Sequence, residues 1–471
     1  MDLCFLKNLK GRATTKSLAA SITHAIDNGL LKSGEKLPSS REIAQLTGTS
    51  RTTVVRTFDE LIARGYLNGR KGQATFVSDI RCDTELLSFE PPVENNPPTF
   101  SGLLPLDMLP AREWQKTVAM QVAKLMAVKA GVEKRTSDLQ DLKSAICGFV
   151  RRTDGILCSP ANVAIFSGTA SAMESIARMT DNEGVACENK GSAIYELFRR
   201  HGAHVSELSI DSAGARIDAM GTSAAALKWL SVTPSGSRPS GIILSDARRY
   251  ELIEWARINS GIIIENATGA EFQYTNRSTP SLFSQDRSGS IVYHRSLTGL
   301  LHPLANLEFL IIPDRLMDRF HDCYSETSTP STVEHLALAD FINNGLLEKH
   351  IRATWKVLRR RRQMLIFALK QRFDTRAEIY ASHAGTQIVV RFDSQWSLPV
   401  LIQAAQAAGL KMTANDRSDS QKEAFRPEFI IDFSALEEEK TERLIETFAA
   451  LLFSTKAVVT ATPLHSATAV S

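Results

Sequence analysis

The sequence predicts an α/β chain in two parts: a small head of three helices and a β-hairpin over residues 1–78, and a large α/β/α body over residues 101–456. Three observations carry this. Apolar residues recur at helical spacing in three short segments of the head, each followed by a glycine stop at Gly29, Gly48 or Gly65. Residues 79–100 contain FEPPVENNPPTF, whose paired prolines stiffen a linker. Beyond the linker, short β-rich apolar runs alternate with longer helical patterns, the signature of a mostly parallel sheet covered by helices. Residues 457–471 are small, polar and proline-containing, and are expected to form a disordered tail.

At 471 residues the chain exceeds one ordinary domain. A hydrophobic fraction of 43% and a charged fraction of 23% provide for a large core. The six cysteines show no CxxC spacing, which argues against a zinc site or disulfide framework and fits a reducing cytoplasm. The ten histidines show no HExxH or HxH spacing, so no metal is expected. No run of about 18 apolar residues is present, so no membrane span is expected. Nor does the N-terminus carry the long apolar stretch of a signal peptide. The net charge of +3 matters less than its distribution. Residues 1–78 hold twelve Lys/Arg against six Asp/Glu, which leaves the remainder at −3. A basic head on a faintly acidic body suits a head that binds nucleic acid.

The head reads in order. Residues 14–28 place Leu18, Ile22 and Ile26 on one helical face. A turn, SGEKLP, leads to Ser39 or Ser40 as the cap of a second helix, REIAQLTG. A third helix runs from Ser50 to Gly65, with Val54, Phe58, Leu61 and Ile62 on its inner face. Strands near Tyr66–Leu67 and Ala74–Val77 flank a Gly-rich tip. Together these make a winged helix-turn-helix, whose second helix offers its N-terminal end to the DNA major groove. Arg51 can fork onto guanine or phosphate, and Thr52 and Thr53 can bond phosphates or touch a thymine methyl. Arg41 is placed to clamp the backbone. Arg70, Lys71 and Gly72 form a cationic wing tip suited to the minor groove or its phosphates.

The run LPSSREIAQLTGTSRTTVVRTFDELIARGYLNGRKGQATFV closely resembles the GntR family of winged-helix regulators. The resemblance implies a double-stranded DNA operator as partner, with Arg41, Arg51, Thr52, Lys71 and Gly72 at contact positions. Val55 stands where some subgroups hold another basic contact.

In the body, VAIF (163–166), GIIL (241–244), GIIIE (261–265), SIVYH (290–294) and FLII (309–312) are candidate strands. Ser167, Gly168 and Thr169 open a helix, and their N–H groups and hydroxyls make an anion cradle. The order of these segments resembles fold-type I aminotransferases. With the head, the architecture resembles the MocR subfamily of GntR regulators, whose members pair through their bodies. That resemblance implies a homodimer, a possible small-molecule effector and a pyridoxal phosphate pocket. The departures from the family's pattern at its working positions imply that the pocket has lost its chemistry. The family's cofactor-binding lysine, needed for covalent catalysis, corresponds to Gly299, after Thr298, and no lysine occurs between Lys228 and Lys349. Asn266 stands for the aspartate under the pyridine nitrogen, Thr268 for the tyrosine beyond it, Ser192 for the ring-stacking aromatic, and Asn306 for the usual arginine. The C-terminal arginine that grips a substrate carboxylate is not apparent, unless Arg426 serves from a shifted position. What remains is hydroxyl-rich: Ser167, Thr169, Ser296 and Thr298. The expectation is a regulator and not an enzyme, with no covalent cofactor and non-covalent binding left open. The alternatives are a pyridoxal phosphate-binding regulator or residual aminotransferase, and a body that serves protein interaction alone. The run Arg359–Arg362 is expected to face water or an acidic partner.

Overall fold

A computed structural model describes residues 14–69, 74–78, 103–127, 135–188, 193–275, 279–324, 331–380, 383–415 and 426–459. The chain divides into two compact units, Met1–Asn95 and Asn96–Ser471. Arg70, Lys71, Gly72, Ser192 and the whole of the expected linker, 79–100, lie outside the described residues.

The first unit contains α1 (Thr15–Asp27), α2 (Ser40–Thr47), α3 (Arg51–Ala63) and the antiparallel pair β1 (Leu67–Asn68) and β2 (Phe76–Val77). Of the two candidate caps for α2, Ser39 serves. Its hydroxyl accepts the Glu42 N–H at 3.3 Å, and the Glu42 carboxylate accepts the Ser39 N–H at 2.7 Å. These bonds from Ser39 hold the Glu42 carboxyl below its ordinary pKa. Gly48 ends α2 at a φ of 67°, in the left-handed region. Leu18 and Ile22 of α1, Ile43 of α2, and Val54, Phe58 and Leu61 of α3 close one core with Leu67 and Val77 of the hairpin. Ile26 and Ile62 sit at its edge, only partly buried.

The second unit is built on a seven-stranded sheet. Its strands are β3 (Val163–Phe166), β4 (Gly184–Cys187), β5 (His204–Glu207), β8 (Leu227–Val232), β9 (Ile262–Asn266), β10 (Ile291–Ser296) and β11 (Glu308–Ile311). A two-stranded hairpin, β6 (Ile210–Asp211) with β7 (Gly214–Ala215), stands apart. The strand order is β3-β11-β10-β9-β8-β4-β5. Only β11 runs against its neighbours. Every residue of β10 is buried, as a sheet covered on both faces requires.

The helices supply the covering layers. On one face, α6 (Thr169–Met179) and α7 (Ala193–Arg200) pack Met173, Ile176 and Phe198 against Phe166, Trp229, Ile264 and Val292. On the other, α5 (Arg135–Asp154), which follows α4 (Ala111–Ala127), packs Leu142, Ile146 and Phe149 against Ile165, Tyr293 and Phe309. Helix α8 (Asp246–Ile258) covers Leu230 and Ile263 with Leu252 and Trp255. The side chains of β10 thus alternate between the two layers, Val292 to one and Tyr293 to the other. Short helices α9 (Leu282–Gln285), α10 (Thr298–Leu301) and α11 (Met317–Cys323) follow, then α12 (Thr332–Asn343) and the long α13 (Leu346–Phe373). A second, antiparallel sheet closes the chain: β12 (Ala377–Tyr380), β13 (Gln387–Phe392), β14 (Met412–Ala414) and β15 (Glu428–Asp432), in the order β12-β13-β15-β14. It shares a core with α13, α14 (Leu398–Ala408) and α15 (Glu438–Val459).

Three expectations need correction. The run GIIL at 241–244 is not a strand. Ile242 makes only an isolated bridge to Ser237, and Leu244 donates its N–H to the Pro234 carbonyl. Buried Arg249 fixes this loop by donating to the Leu244, Pro234 and Pro280 carbonyls. The strand of that region is the preceding LKWLSV. Second, α15 continues to Val459, into the expected tail, because no helix-breaking residue intervenes before Pro463. Third, Arg359–Arg362 faces water only in part: Arg359 and Arg360 are exposed as expected, whereas Arg361 and Arg362 are partly buried. Arg360 pairs with Glu438, Arg361 donates to the Ser434 carbonyl, and Arg359 and Arg362 stack over Trp355 and Tyr274.

Two outcomes follow from these contacts. Ser39→Ala removes the α2 cap and should destabilise the head by about 1 kcal/mol, read as a lower urea midpoint. Glu265, wholly buried in β9, accepts the N–H groups of Leu282 and Phe283. Burial raises its pKa from 4.5 to about 7. The folded state then binds this proton more tightly than the unfolded chain does. The carboxyl therefore favours folding fully in acid, and its contribution is lost as pH rises through about 7. Thermal midpoints of wild type and Glu265→Gln between pH 4.5 and 7 should diverge, with the steeper decline in wild type. Parallel curves refute the assignment.

Candidate functional site

The head presents its cations from helix starts. Ser50 caps α3 by accepting the Thr53 N–H at 3.1 Å. It also shares a 2.9 Å bond with the Thr53 hydroxyl, so Thr53 serves the cap first. Arg51 and Thr52 are exposed at the same helix end, and Arg41 is exposed at the start of α2. Arg51 Nε lies 3.4 Å from the Ser40 hydroxyl, which ties the two helix starts together. Val55 is half-buried. A cation and a hydroxyl on one exposed helix start are the groups that phosphates and base edges take.

In the body, a cavity of about 340 Å³ opens at the carboxyl ends of the parallel strands, where open α/β sheets place ligands. Strand β4 delivers Cys187 and Glu188, β8 delivers Ser231 and Thr233, β9 delivers Asn266 and Thr268, and β10 delivers His294 and Ser296. Thr169 comes from the start of α6, Thr298 and Gly299 from α10, and Arg238 from the loop after β8. None of the described lining residues is a lysine. A smaller cavity adjoins this one, shares Arg238, Thr268, Ser296 and Gly299, and is closed by residues 384–387 before β13. Gly241 makes that closure possible. At its φ of 68°, an added Cβ would lie 2.5 Å from the Ala384 carbonyl oxygen.

The floor of the cavity is organised by Glu308, which is fully buried. Its Oε1 accepts the hydroxyls of Thr169 at 2.9 Å and Ser296 at 2.5 Å. Its Oε2 lies 2.8 Å from His294 Nε2. The other ring nitrogen, His294 Nδ1, has no partner although His294 is 1% exposed. The Thr268 and Thr298 hydroxyls are also buried without partners. Glu188 accepts the Thr233 N–H and the Ser237 hydroxyl, both at 3.0 Å. Burial, with the charge of Glu188, pushes the Cys187 thiol up to about 12, so it is no thiolate nucleophile. Arg238 is exposed to the cavity. Desolvation by the surrounding wall lowers its pKa, against the pull of Glu271, Glu308 and Asp432. Beneath the site, Arg295 bridges Asp154 at 2.5 Å and Glu271 at 3.2 Å, anchoring β10 to α5.

The structure thus brings together Thr169, Asn266, Thr268, Ser296, Thr298 and Gly299. Ser167 and Gly168 precede Thr169 but do not line the cavity. Asn266 accepts the Thr268 N–H and so shapes the strand end. Asn306 stands elsewhere: its N–H donates to Glu334 and its side chain bonds His302. Arg426 lies 3.4 Å from Glu378 and is absent from the lining. The sequence reading missed Glu188, Arg238, His294 and Glu308. The signal for the last two was a charged or titratable residue inside an apolar strand. Among the described residues, no group of three or more His, Cys, Asp or Glu is placed to hold a metal. No described helix is long and apolar enough to cross a membrane.

Comparison with known proteins agrees with both halves. Residues 14–77 match the family "Bacterial regulatory proteins, gntR family". The chain is 26% identical to the probable rhizopine catabolism regulatory protein MocR of Rhizobium meliloti, over 83% of this chain and 84% of that protein. It is 25% identical to the pyridoxine biosynthesis transcriptional regulator PdxR of Corynebacterium glutamicum, over 84% of this chain and 87% of that one. The solved structure of a multiple substrate aminotransferase from Thermococcus profundus superposes with a TM-score of 0.64 at 18% identity, over 76% of this chain and 91% of that one. That last likeness establishes fold alone. The chain therefore joins a head that matches the gntR family to a body with the fold of that aminotransferase, and over most of its length it is similar to regulators of the MocR and PdxR type.

Proposed function

We propose that this chain is a DNA-binding transcription regulator of the cytoplasm whose body pairs with a second copy and receives a small ligand, without pyridoxal phosphate chemistry. The observation that carries the DNA-binding reading is the exposed start of α3, with Arg51 and Thr52, on a head that matches the gntR family. Likeness to regulators over most of the chain extends that reading to the whole protein. A paired body would carry two heads onto paired half-sites.

The reading of a body without covalent cofactor is supported by the cavity lining. Position 299 is glycine, no lysine stands among the described lining residues, and Asn266, which the resemblance sets at the aspartate position, is an amide. A residual transferase needs an amine there to hold the cofactor, and the residues present do not fit it. The unpartnered His294 Nδ1, Thr268 and Thr298 atoms support a non-covalent ligand instead.

Binding to a mapped operator fragment should weaken steeply as salt rises, because phosphate contacts release counterions. Arg51→Ala should lower specific affinity by about 1–3 kcal/mol in a gel-shift titration if Arg51 reads a base. Unchanged affinity refutes this placement of the recognition helix. Peptide mapping after mixing purified protein with pyridoxal phosphate and borohydride should find no adduct on a residue that lines the cavity. An adduct on a cavity residue would revive the enzyme reading.

A further inference from the structure

The N-terminal end of α6 offers what an anion wants: a helix start with Thr169 and, facing it from β10, Ser296. In this chain the hydroxyl part of that offer is already taken. A hydroxyl has one proton to donate, and both of these protons go to the same oxygen of Glu308. The second oxygen takes the Nε2–H of His294. A carboxylate only accepts, so in the neutral ring the proton sits on Nε2, and Nδ1 keeps a lone pair. Around Glu308 the cavity therefore carries acceptors: the spare lone pairs of Thr169 and Ser296, and His294 Nδ1, which is buried and unpartnered, while the unpartnered Thr268 and Thr298 hydroxyls of the same lining can donate or accept.

We propose that Glu308 is the built-in occupant of the anion cradle, so that the cavity excludes phosphorylated ligands and takes an unphosphorylated small molecule that presents an ammonium or other N–H donor to its floor. A phosphate seated at Thr169 and Ser296 would lie beside the Glu308 charge and receive a proton from neither of these two hydroxyls. An ammonium meets the opposite conditions: it carries donors, it complements Glu308, and it satisfies His294 Nδ1. Arg238, in the same lining, carries N–H groups that suit an acceptor group of the ligand. This inference rests on the reading of the body as a ligand-receiving module.

The test uses the full chain and matched probes: ethanolamine with phosphoethanolamine, pyridoxamine with pyridoxamine 5′-phosphate, and inorganic phosphate. Thermal shift and calorimetric titration should show binding by an unphosphorylated member and none by inorganic phosphate or the esters. Glu308→Gly, which empties the cradle, should reverse the preference within a pair. Glu308→Gln, which keeps the shape and removes the charge, should narrow it by about tenfold or more. Should Glu308→Gly fail to fold, wild type and Glu308→Gln still decide. The proposal is overturned if wild type binds a phosphorylated probe as tightly as its partner. It is equally overturned if no probe binds, or if both folded variants keep the wild-type preference. Operator binding by the same preparations separates the two levels. Intact operator binding with a failed ligand pattern sinks only this inference, whereas lost operator binding in wild type sinks the regulator reading itself.

Discussion

A carboxylate inside a covered β-sheet must be satisfied or it destabilises whatever contains it. Glu308 meets that condition through three side chains on two other elements, His294 and Ser296 of β10 and Thr169 of α6. In register it faces Ser296 of β10 on one side and Phe166 of β3 on the other. The hydroxyl of Thr169 reaches it from the start of α6. The charge thus ties the one antiparallel strand of the sheet to the helix that frames the cavity. It also decides the polarity of the cavity floor, since each proton spent on Glu308 is withheld from a ligand. Removing any one partner leaves the charge less satisfied.

A second buried ion group works differently. Arg295, next along β10, holds Asp154 and Glu271 beneath the cavity, with its guanidinium 4.8 Å from the Phe149 ring centre. Its partners lie at the end of α5 and in the loop after β9, so it fixes the base on which Asn266 and Thr268 sit. His294 and Arg295 are neighbours in sequence and point to opposite faces of the sheet, as strand alternation demands. One serves the cavity and the other the scaffold.

These two residues also mark the limit of what could be read from the chain alone. The head was legible because its structure is local: Leu18, Ile22, Val54, Phe58 and Leu61 repeat at helical spacing, and Gly48 stops α2 where the pattern ends. Strands β9 and β10 were legible because burial on both faces writes a continuous β-branched run. Strand β8 was not, since Lys228 and Ser231 interrupt LKWLSV, whereas GIIL has the composition of a strand and spends its backbone on a loop. In the site, the order of segments located Thr169, Asn266, Thr268, Ser296, Thr298 and Gly299. It could not locate Arg238 or Glu188, whose roles arise only when the loop after β8 folds back over the sheet. Nor could it show that Asn306 turns away, which depends on Glu334 capturing its N–H from a distant helix. Glu308 was visible as a letter in LEFLII. Its meaning required the three protons that converge on it.

The two units work under opposite electrostatic conditions. Arg41 and Arg51 stand in water, where their pull on phosphates is screened within about 10 Å at moderate salt. Glu308 and His294 are sealed from solvent, where a single unmatched charge is costly and salt has little reach. A ligand in the body can alter DNA occupancy only by binding more tightly to one state of the protein than to another. Linkage makes that coupling reciprocal: whatever factor a ligand imposes on operator affinity, the operator imposes on ligand affinity. Since salt acts mainly on the exposed contacts, raising it weakens the DNA term and leaves the buried site almost untouched. The ligand's affinity in the absence of DNA should then be nearly independent of salt, while the operator's own affinity is not.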